Sequence, residues 1–317
     1  MPSKPTTIDA NQTHLMKSKY TKRKYRISIS LPSAYIESSN KAWPFENPLK
    51  NWPVVYLTDS NWFFGMVTDI VRSMAWFGNC TDAIIVGIGY PEQKDPQQAW
   101  RDTIMRRFYE LSPIRDEGFE TWIATVLERP QTGGAGGFLN FIKHELIPVI
   151  DREFHTDPRK RILAGHSLGG TFTAFALLED SSVFGSYVIG SPFLSYGNGF
   201  TFKQEEQFAK RHKRLNVKVH LWAGDLEETS NDTTLSDTIR FGAILESRKY
   251  KGLTLNKQIF PNLEHSEVIA PGFQAGLKWA LENKAAHVSC SKITSCAWTK
   301  IRHKQFTNSL NRQKMSV

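Results

Sequence analysis

The chain has 317 residues, of which 40% are hydrophobic and 22% are charged, a composition typical of one large globular domain with a sizeable core. Its three cysteines, Cys80, Cys290 and Cys296, exclude a disulfide framework, and no apolar run is long enough to span a bilayer. The net charge of +9 lies at the two ends, since residues 1–30 and 284–317 are strongly basic and the body between them is net negative.

The basic ends are interpreted as solvated segments rather than as part of a binding groove, so no nucleic-acid partner is expected. The cysteines are interpreted as free thiols. The first ten residues lack an apolar signal core, so cytoplasmic residence is expected. The oligomeric state stays open at this point.

Three segments are predicted along the chain: a flexible lead-in over residues 1–13, one domain over residues 14–283, and a partly disordered basic tail over residues 284–317. The first strand, residues 24–31, alternates apolar and polar side chains and is predicted to be antiparallel and half-exposed. Later strands are predicted at residues 53–57, 83–89, 161–164, 183–190, 217–223 and 253–260, and those at 53–57 and 83–89 are continuously apolar. Helices are predicted between them at residues 63–77, 138–154, 171–178, 203–213, 236–250 and 273–281.

Continuous apolar strands separated by helices are typical of a parallel sheet that is covered on both faces. The predicted fold class is therefore α/β: a mostly parallel central sheet, helices on both faces, and an antiparallel N-terminal strand pair. Residues 90–135 interrupt this order with prolines, arginines and glycines, and they are predicted to be a long irregular segment at the rim of a substrate site.

The most informative stretch is residues 161–170, which predicts a short buried strand, a tight turn and the start of an apolar helix. Within it, residues 165–169 read Gly-His-Ser-Leu-Gly and match the G-x-S-x-G nucleophile elbow. The elbow presents its serine, here Ser167, on a strained turn above the sheet. The N–H of Leu168 then lies at a helix N-terminus and is directed at a developing oxyanion.

A serine nucleophile needs a base, and an α/β-hydrolase presents its triad in the order serine, acid, histidine. Of the histidines after Ser167, His212 and His220 precede the last predicted strand, and His287 and His303 belong to the basic tail. Only His265 lies in the loop directly after that strand, so His265 is the predicted base. The acid is expected after the preceding strand, where Asp225, Glu227 and Glu228 all qualify by position. His166 is predicted to be a packing residue.

Three stretches together resemble the esterase D-like "putative esterase" family, which includes siderophore esterases, feruloyl esterases and S-formylglutathione hydrolases. They are residues 165–170 (GHSLGG), 224–227 (GDLE) and 261–265 (PNLEH), and the resemblance covers residues 14–283. It implies the α/β-hydrolase fold, with the acid three residues after the strand-ending glycine, which is Glu227. Residues 54–62 are similar to the family's strand followed by L-D-G, which implies that Asn61 supplies a second oxyanion N–H.

The expected activity is carboxylic-ester hydrolysis through an acyl-serine intermediate, with a small-molecule ester as the substrate and with no metal or organic cofactor. An acyltransferase with the same triad, and a binding protein on a hydrolase fold, are the two alternatives. A serine–histidine dyad without the acid also stays open. Arg101, Arg106 and Arg107 are candidates to receive an acidic, siderophore-like substrate, and their pairing with nearby acids is the alternative.

Overall fold

The computed structural model describes residues 11–32, 35, 51–229 and 232–282 of the chain. Eight strands form one sheet in the spatial order β1-β2-β4-β3-β5-β6-β7-β8. Their bounds are Asn11–Lys17 (β1), Lys24–Ser30 (β2), Trp52–Leu57 (β3), Ile84–Gly89 (β4), Thr156–His166 (β5), Ser186–Gly190 (β6), Lys218–Gly224 (β7) and Thr254–Phe260 (β8).

The sheet is antiparallel at its N-terminal side and parallel elsewhere. Strand β2 pairs antiparallel with both β1 and β4, whereas β4, β3, β5, β6, β7 and β8 pair parallel in that order. The carboxyl ends of six strands therefore meet at one edge of the sheet. The predicted α/β class, with a mostly parallel sheet and an antiparallel N-terminal pair, is confirmed.

Helices cover both faces of the sheet. Their bounds are Ser60–Trp76 (α1), Pro96–Leu111 (α2), Glu117–Ile123 (α3), Ala135–Phe141 (α4), Ile147–Glu153 (α5), Leu168–Glu179 (α6), Tyr196–Arg211 (α7), Thr234–Ser247 (α8) and Ile269–Ala280 (α9). A π-helical turn, Ile142–Leu146, joins α4 to α5.

Two hydrophobic clusters fill the space between the sheet and these helices. Strand β3 shows the separation, because Val54 and Tyr56 belong to one cluster while Val55 and Leu57 belong to the other. Helices α1 and α9 cover the second cluster, and α4 to α8 cover the first. The alternation follows from the two-residue period of a strand that is buried on both faces.

The structure differs from the sequence-based expectation in residues 90–135. This segment was expected to be irregular, but it contains α2 and α3. The side chain of Asp95 accepts a hydrogen bond from Gln97 N–H at the start of α2, and that of Asp116 accepts one from Phe119 N–H at the start of α3. Each aspartate satisfies one of the main-chain donors that a helix leaves unpaired at its first turn.

Smaller differences occur at element ends. Strand β1 begins at Asn11, so residues 11–13 are in a strand rather than in the flexible lead-in expected there. Strand β5 starts at Thr156, five residues earlier than expected. The expected helix over residues 138–154 is divided by the π-helical turn.

Several expectations lie outside the described residues: the structure of residues 1–10, the basic tail over 284–317, and Cys290 and Cys296. Cys80 is a buried free thiol, and burial raises its pKa to about 12. In the described part of the chain no helix is long and apolar enough to cross a membrane.

Candidate active site

The turn from β5 into α6 has the geometry of a nucleophile elbow. Ser167 adopts φ 59° and ψ −125°, a conformation that is strained for a residue with a side chain. A Cβ added at Gly165 would lie 2.2 Å from Gly169 O, and one added at Gly169 would lie 2.4 Å from Thr58 Oγ1. The two glycines therefore allow the strand, the helix and the β3 end to approach closely enough to hold the serine in this strained conformation.

The two predicted oxyanion donors lie at the N-termini of two helices that start from neighbouring strands. Leu168 is the first residue of α6, after β5, and Asn61 is the second residue of α1, after β3. Main-chain N–H groups at these positions have no partner within their own helix. The Asn61 side chain is occupied elsewhere, because it bonds both Tyr90 N–H (2.7 Å) and Tyr90 O (3.1 Å) at the end of β4.

His265 and Glu227 are in direct contact. His265 lies in the turn after β8, and its Nδ1 is 2.7 Å from Glu227 Oε2 in the loop after β7. A carboxylate can only accept a hydrogen bond, so Nδ1 carries a proton, and in the neutral imidazole the lone pair is then on Nε2. The imidazole is 46% exposed while the carboxylate is fully buried. A neutral imidazole with an exposed Nε2 is suited to act as a general base on a hydroxyl at this edge of the sheet.

Two further donors hold the carboxylate of Glu227. Its Oε1 accepts hydrogen bonds from Ser191 Oγ at 2.7 Å and from Gly224 N–H at 2.6 Å. With the bond to His265, three donors compensate the burial of a negative charge. Ser191 did not emerge from the sequence, and the only signal for it is its position directly after β6.

The other two acid candidates have different partners. Asp225 Oδ1 accepts the Asn262 N–H at 2.6 Å and so joins the turns after β7 and β8. Glu228 accepts both the N–H and the Oγ–H of Ser236, each at 2.9 Å, near the start of α8. Among the described residues, the carboxylate that bonds His265 is that of Glu227.

His166 packs beneath the candidate base. Its ring is buried, with its centroid 4.6 Å from that of His265, and it is stacked on Trp222 and edge-on to Phe63. Burial first, and then repulsion from a protonated His265 and from the cation of Arg107, hold the pKa of His166 well below its usual range. The ring is therefore neutral, as expected of a packing residue.

The three arginines that were candidates for an acidic substrate divide into two kinds. Arg106 donates to Lys24 O at 2.8 Å and lies 3.6 Å from Glu110, and Arg107 Nε donates to Asp59 Oδ1 at 3.0 Å. Arg101 is exposed. Arg106 and Arg107 therefore pair with nearby acids, which is the alternative to a role in receiving an acidic substrate.

Within the described ranges, no group of three or more histidine, cysteine, aspartate or glutamate side chains is arranged to hold a metal ion. The chemistry that the described residues support is acyl transfer to a serine, which needs a nucleophile, a base and oxyanion donors.

A parallel sheet with a strained serine elbow after β5, a buried acid after β7 and a histidine after β8, all at the same edge, defines the class of α/β-hydrolase-fold serine hydrolases. The model of the family described as "Putative esterase" matches residues 18–246. The chain belongs to this family and is a carboxylic ester hydrolase.

Similar proteins and structures support this assignment. The chain is 30% identical over 289 residues to the ferri-bacillibactin esterase BesA of Bacillus subtilis, which covers 89% of this chain and 93% of the relative. It is 26% identical over 253 residues to the apo-salmochelin esterase of Escherichia coli, covering 78% of this chain and 75% of the relative. The crystal structure of the BES protein from Bacillus cereus superposes with a TM-score of 0.74 at 25% identity, covering 89% of this chain and all of that one.

Proposed function

We propose that the protein hydrolyses siderophore-type esters through an acyl-enzyme formed on Ser167. The observation that carries the proposal is the 2.7 Å contact between His265 Nδ1 and the buried Glu227 carboxylate, at the sheet edge where the elbow serine also lies. The relatives at 30% and 26% identity are named as esterases of ferri-bacillibactin and of apo-salmochelin, which supports a siderophore ester as the substrate class.

In the first half of the reaction His265 Nε2 takes the proton from Ser167 Oγ as the oxygen attacks the ester carbonyl carbon. The Leu168 and Asn61 N–H groups hold the oxyanion of the tetrahedral intermediate. When the intermediate collapses, the bond to the alkoxy oxygen breaks, and His265 returns the proton to the departing alcohol. Glu227 keeps the imidazole in one tautomer and stabilises its transient positive charge.

In the second half water replaces the alcohol. His265 Nε2 removes a proton from water as the water oxygen attacks the acyl carbon. The second tetrahedral intermediate collapses by breaking the bond between the acyl carbon and Ser167 Oγ, and His265 returns the proton to Oγ, which releases the carboxylic acid. An added alcohol competing with water at this step would give the acyl-transfer product instead. A product assay with and without alcohol therefore separates hydrolysis from acyl transfer.

The test combines labelling with kinetics. A fluorophosphonate probe should label Ser167, labelling should be lost in His265→Ala, and Ser167→Ala should lower turnover on the order of a millionfold while the circular dichroism spectrum stays unchanged. Ser247→Ala, at an exposed serine of α8, is the matched control and should keep full activity. A folded Ser167→Ala variant with near wild-type turnover would overturn the proposal.

The substrate class is tested with an ester panel that contains triscatecholate and hydroxamate siderophores beside small neutral esters. A siderophore ester should have the highest kcat/KM, and a preference for the neutral esters would contradict this part of the proposal. Cytoplasmic residence stays a prediction, which cell fractionation with an antibody against the protein can test.

A further inference from the structure

A buried ion pair lies beside the elbow and outside the proposed triad. Asp59 lies two residues after the end of β3, and its carboxylate, 1% exposed, accepts a hydrogen bond from Nε of Arg107 on α2 at 3.0 Å. The Arg107 side chain is 11% exposed, and its guanidinium carbon lies 5.5 Å from the Trp62 ring centroid. Burying two charges costs free energy, which their attraction offsets only when the hydrogen-bond geometry is good.

The backbone of Asp59 sets the start of α1. Asp59 adopts the left-handed conformation, φ 53° and ψ 36°, and its carbonyl accepts the N–H groups of Trp62 and Phe63 at 3.0 and 3.2 Å. A non-glycine residue in this region costs on the order of 1 kcal/mol and persists only where the surroundings hold it. The direction of the Asn61 N–H, two residues further on, therefore depends on how Asp59 is held.

The second carboxylate oxygen of Asp59 lies against the N-terminal turn of α6. A Cβ added at Gly169 would come within 3.0 Å of Asp59 Oδ2, which is buried and has no hydrogen-bond partner among the described residues. The carboxylate thus lies between α1 and α6, whose N-termini carry the two proposed oxyanion donors. A bare negative charge there would oppose the oxyanion, and the guanidinium of Arg107 compensates it.

We infer that Arg107 is a positioning residue for ester hydrolysis. Through its bond to Asp59 it fixes the turn that directs the Asn61 N–H toward the oxyanion, and it cancels the carboxylate charge beside that site. The inference rests on the proposed function. Arg107 takes part in no proton transfer and in no bond to the substrate.

A direct contact between Arg107 and an anionic group of the substrate would leave a different kinetic signature. It would raise KM for anionic esters and leave small neutral esters unaffected. A positioning role instead lowers kcat for every ester, including those with no charge, because the oxyanion is common to all of them.

The experiment measures kcat and KM for p-nitrophenyl butyrate, a neutral ester, in Arg107→Gln, Asp59→Asn and the double variant. Turnover is expressed per serine that reacts with the fluorophosphonate probe, which removes any loss due to unfolded protein. Each single variant should lose roughly 10- to 100-fold in kcat at little change in KM, as a small misplacement of catalytic groups does. The double variant should lose no more than the worse single variant, because both remove one interaction.

A second measurement separates positioning from mere structural support. Affinity for a trifluoromethyl ketone, which forms a serine-bound oxyanion, should fall in parallel with kcat/KM in the same variants. Arg107→Lys should recover part of the loss, since an ammonium supplies the charge and one hydrogen bond. Arg248→Gln, at an arginine paired with a different buried carboxylate, Glu205, is the matched control and should keep kcat per labelled serine even if it is less stable.

Three results would overturn the inference: unchanged kcat per labelled serine in folded Arg107→Gln, a loss confined to KM with anionic esters, or fully additive losses in the double variant. If Arg107→Gln does not fold, Arg107→Lys and Asp59→Asn give the same readouts. Failure of the proposed function is distinguishable, because Ser167→Ala would then keep its turnover. If Ser167→Ala is inactive and the Arg107 variants are fully active, the positioning role alone fails.

Discussion

Two buried glutamates, Glu205 and Glu227, have different roles in this molecule although both are fully hydrogen-bonded. Glu205 on α7 has a 1% exposed side chain and bonds Arg248 through two guanidinium nitrogens, at 3.0 Å and 2.8 Å, and Tyr250 Oη at 2.8 Å. Glu227 is equally buried, but it bonds the imidazole of His265, a hydroxyl and a main-chain N–H. Both carboxylates accept hydrogen bonds from three donors, so neither their burial nor the number of their hydrogen bonds distinguishes them.

The partner makes the difference. An arginine stays charged at every physiological pH, so the Glu205 cluster holds a fixed ion pair between α7 and the segment after α8. An imidazole changes its charge within the physiological range, and His265 is half-exposed at the edge where the parallel strands end. A buried carboxylate beside an exposed imidazole can therefore stabilise a charge that appears only during a reaction.

The largest expected effect is on Glu227. Glu227→Gln keeps the shape of the side chain but loses its charge, and its amide can present N–H to Nδ1 and favour the wrong tautomer. Turnover should fall up to about ten-thousandfold while the thermal midpoint changes little. Asp225→Asn and Glu228→Gln are the matched controls and should stay near wild type in steady-state kinetics.

Two outcomes of these three variants would break the comparison. If none of them is impaired, a serine–histidine dyad carries the reaction and Glu227 is only a neighbour of His265. If Asp225→Asn is the impaired variant, the acid has been placed two residues too late. Circular dichroism on each variant excludes unfolding as the cause of a lost rate.

The comparison extends to a second histidine, His220, which has an amide partner instead of a carboxylate. Its ring is fully buried, Asn256 Nδ2 lies 3.0 Å from its Nδ1, and burial lowers its pKa to about 4. A histidine in the unfolded chain has a pKa of about 6.5, so between pH 6.5 and 4 the unfolded state binds more protons. Stability should therefore fall as the pH drops through this window, by about 3 kcal/mol at its lower end.

Urea unfolding at several pH values from 7 to 4.5 measures this effect. His220→Gln should flatten part of the slope, and the rest should persist because His166 is also buried and neutral in the folded state. The ester hydrolysis rate of the variant at pH 7 should stay near that of the wild type. An unaltered slope in His220→Gln would show that burial of this ring does not control acid stability.

The corresponding change at the structural glutamate, Glu205→Gln, should lower stability without affecting catalysis. The change leaves the Arg248 guanidinium without its ion pair, but Arg248 is 37% exposed, so water compensates part of the loss. The free energy of unfolding should fall by about 2 kcal/mol, below the cost of breaking a fully buried pair. A fall in kcat per labelled serine at an unchanged thermal midpoint would contradict the structural role of Glu205.

The elbow and the buried strands that follow β2 were predictable because they depend on local patterns. The two glycines of G-x-S-x-G are needed where the strand and the helix of the elbow approach closely. The apolar runs of β3, β4, β6 and β7 are long enough to indicate burial on both faces of the sheet. Helices α2 and α3 were missed although their signals are present: Asp95 before Pro96, and Asp116 three residues before Phe119. Strand β1 has little apolar pattern, and its pairing with β2 is a tertiary effect.

The contacts within the candidate site were harder to predict from the sequence, because they depend on the conformation of the loops after the strands. Asp225, Glu227 and Glu228 lie within four consecutive positions, and Glu227 differs from the others because its carboxylate folds back to accept the Gly224 N–H. The family resemblance favoured Glu227, while spacing alone left all three open. The pairing of Arg107 with Asp59 joins residues 48 positions apart and has no local signal.

The smallest expected effect tests whether Ser191 supports Glu227 or only the fold. Ser191 is fully buried, donates its hydroxyl to Glu227 Oε1 at 2.7 Å, and has a positive φ of 37°. Ser191→Ala leaves one carboxylate oxygen with the Gly224 N–H alone, so kcat should fall roughly tenfold, the equivalent of one hydrogen bond to a charged group. Ser191→Gly removes the same hydroxyl but relieves the strained backbone, so it should be more stable than Ser191→Ala by roughly 1 kcal/mol.

If Ser191 orients the carboxylate, both variants lose the same factor in kcat although their thermal midpoints differ. If kcat instead follows the thermal midpoint and recovers in Ser191→Gly, the hydroxyl contributes to the fold alone, and two donors suffice to hold Glu227.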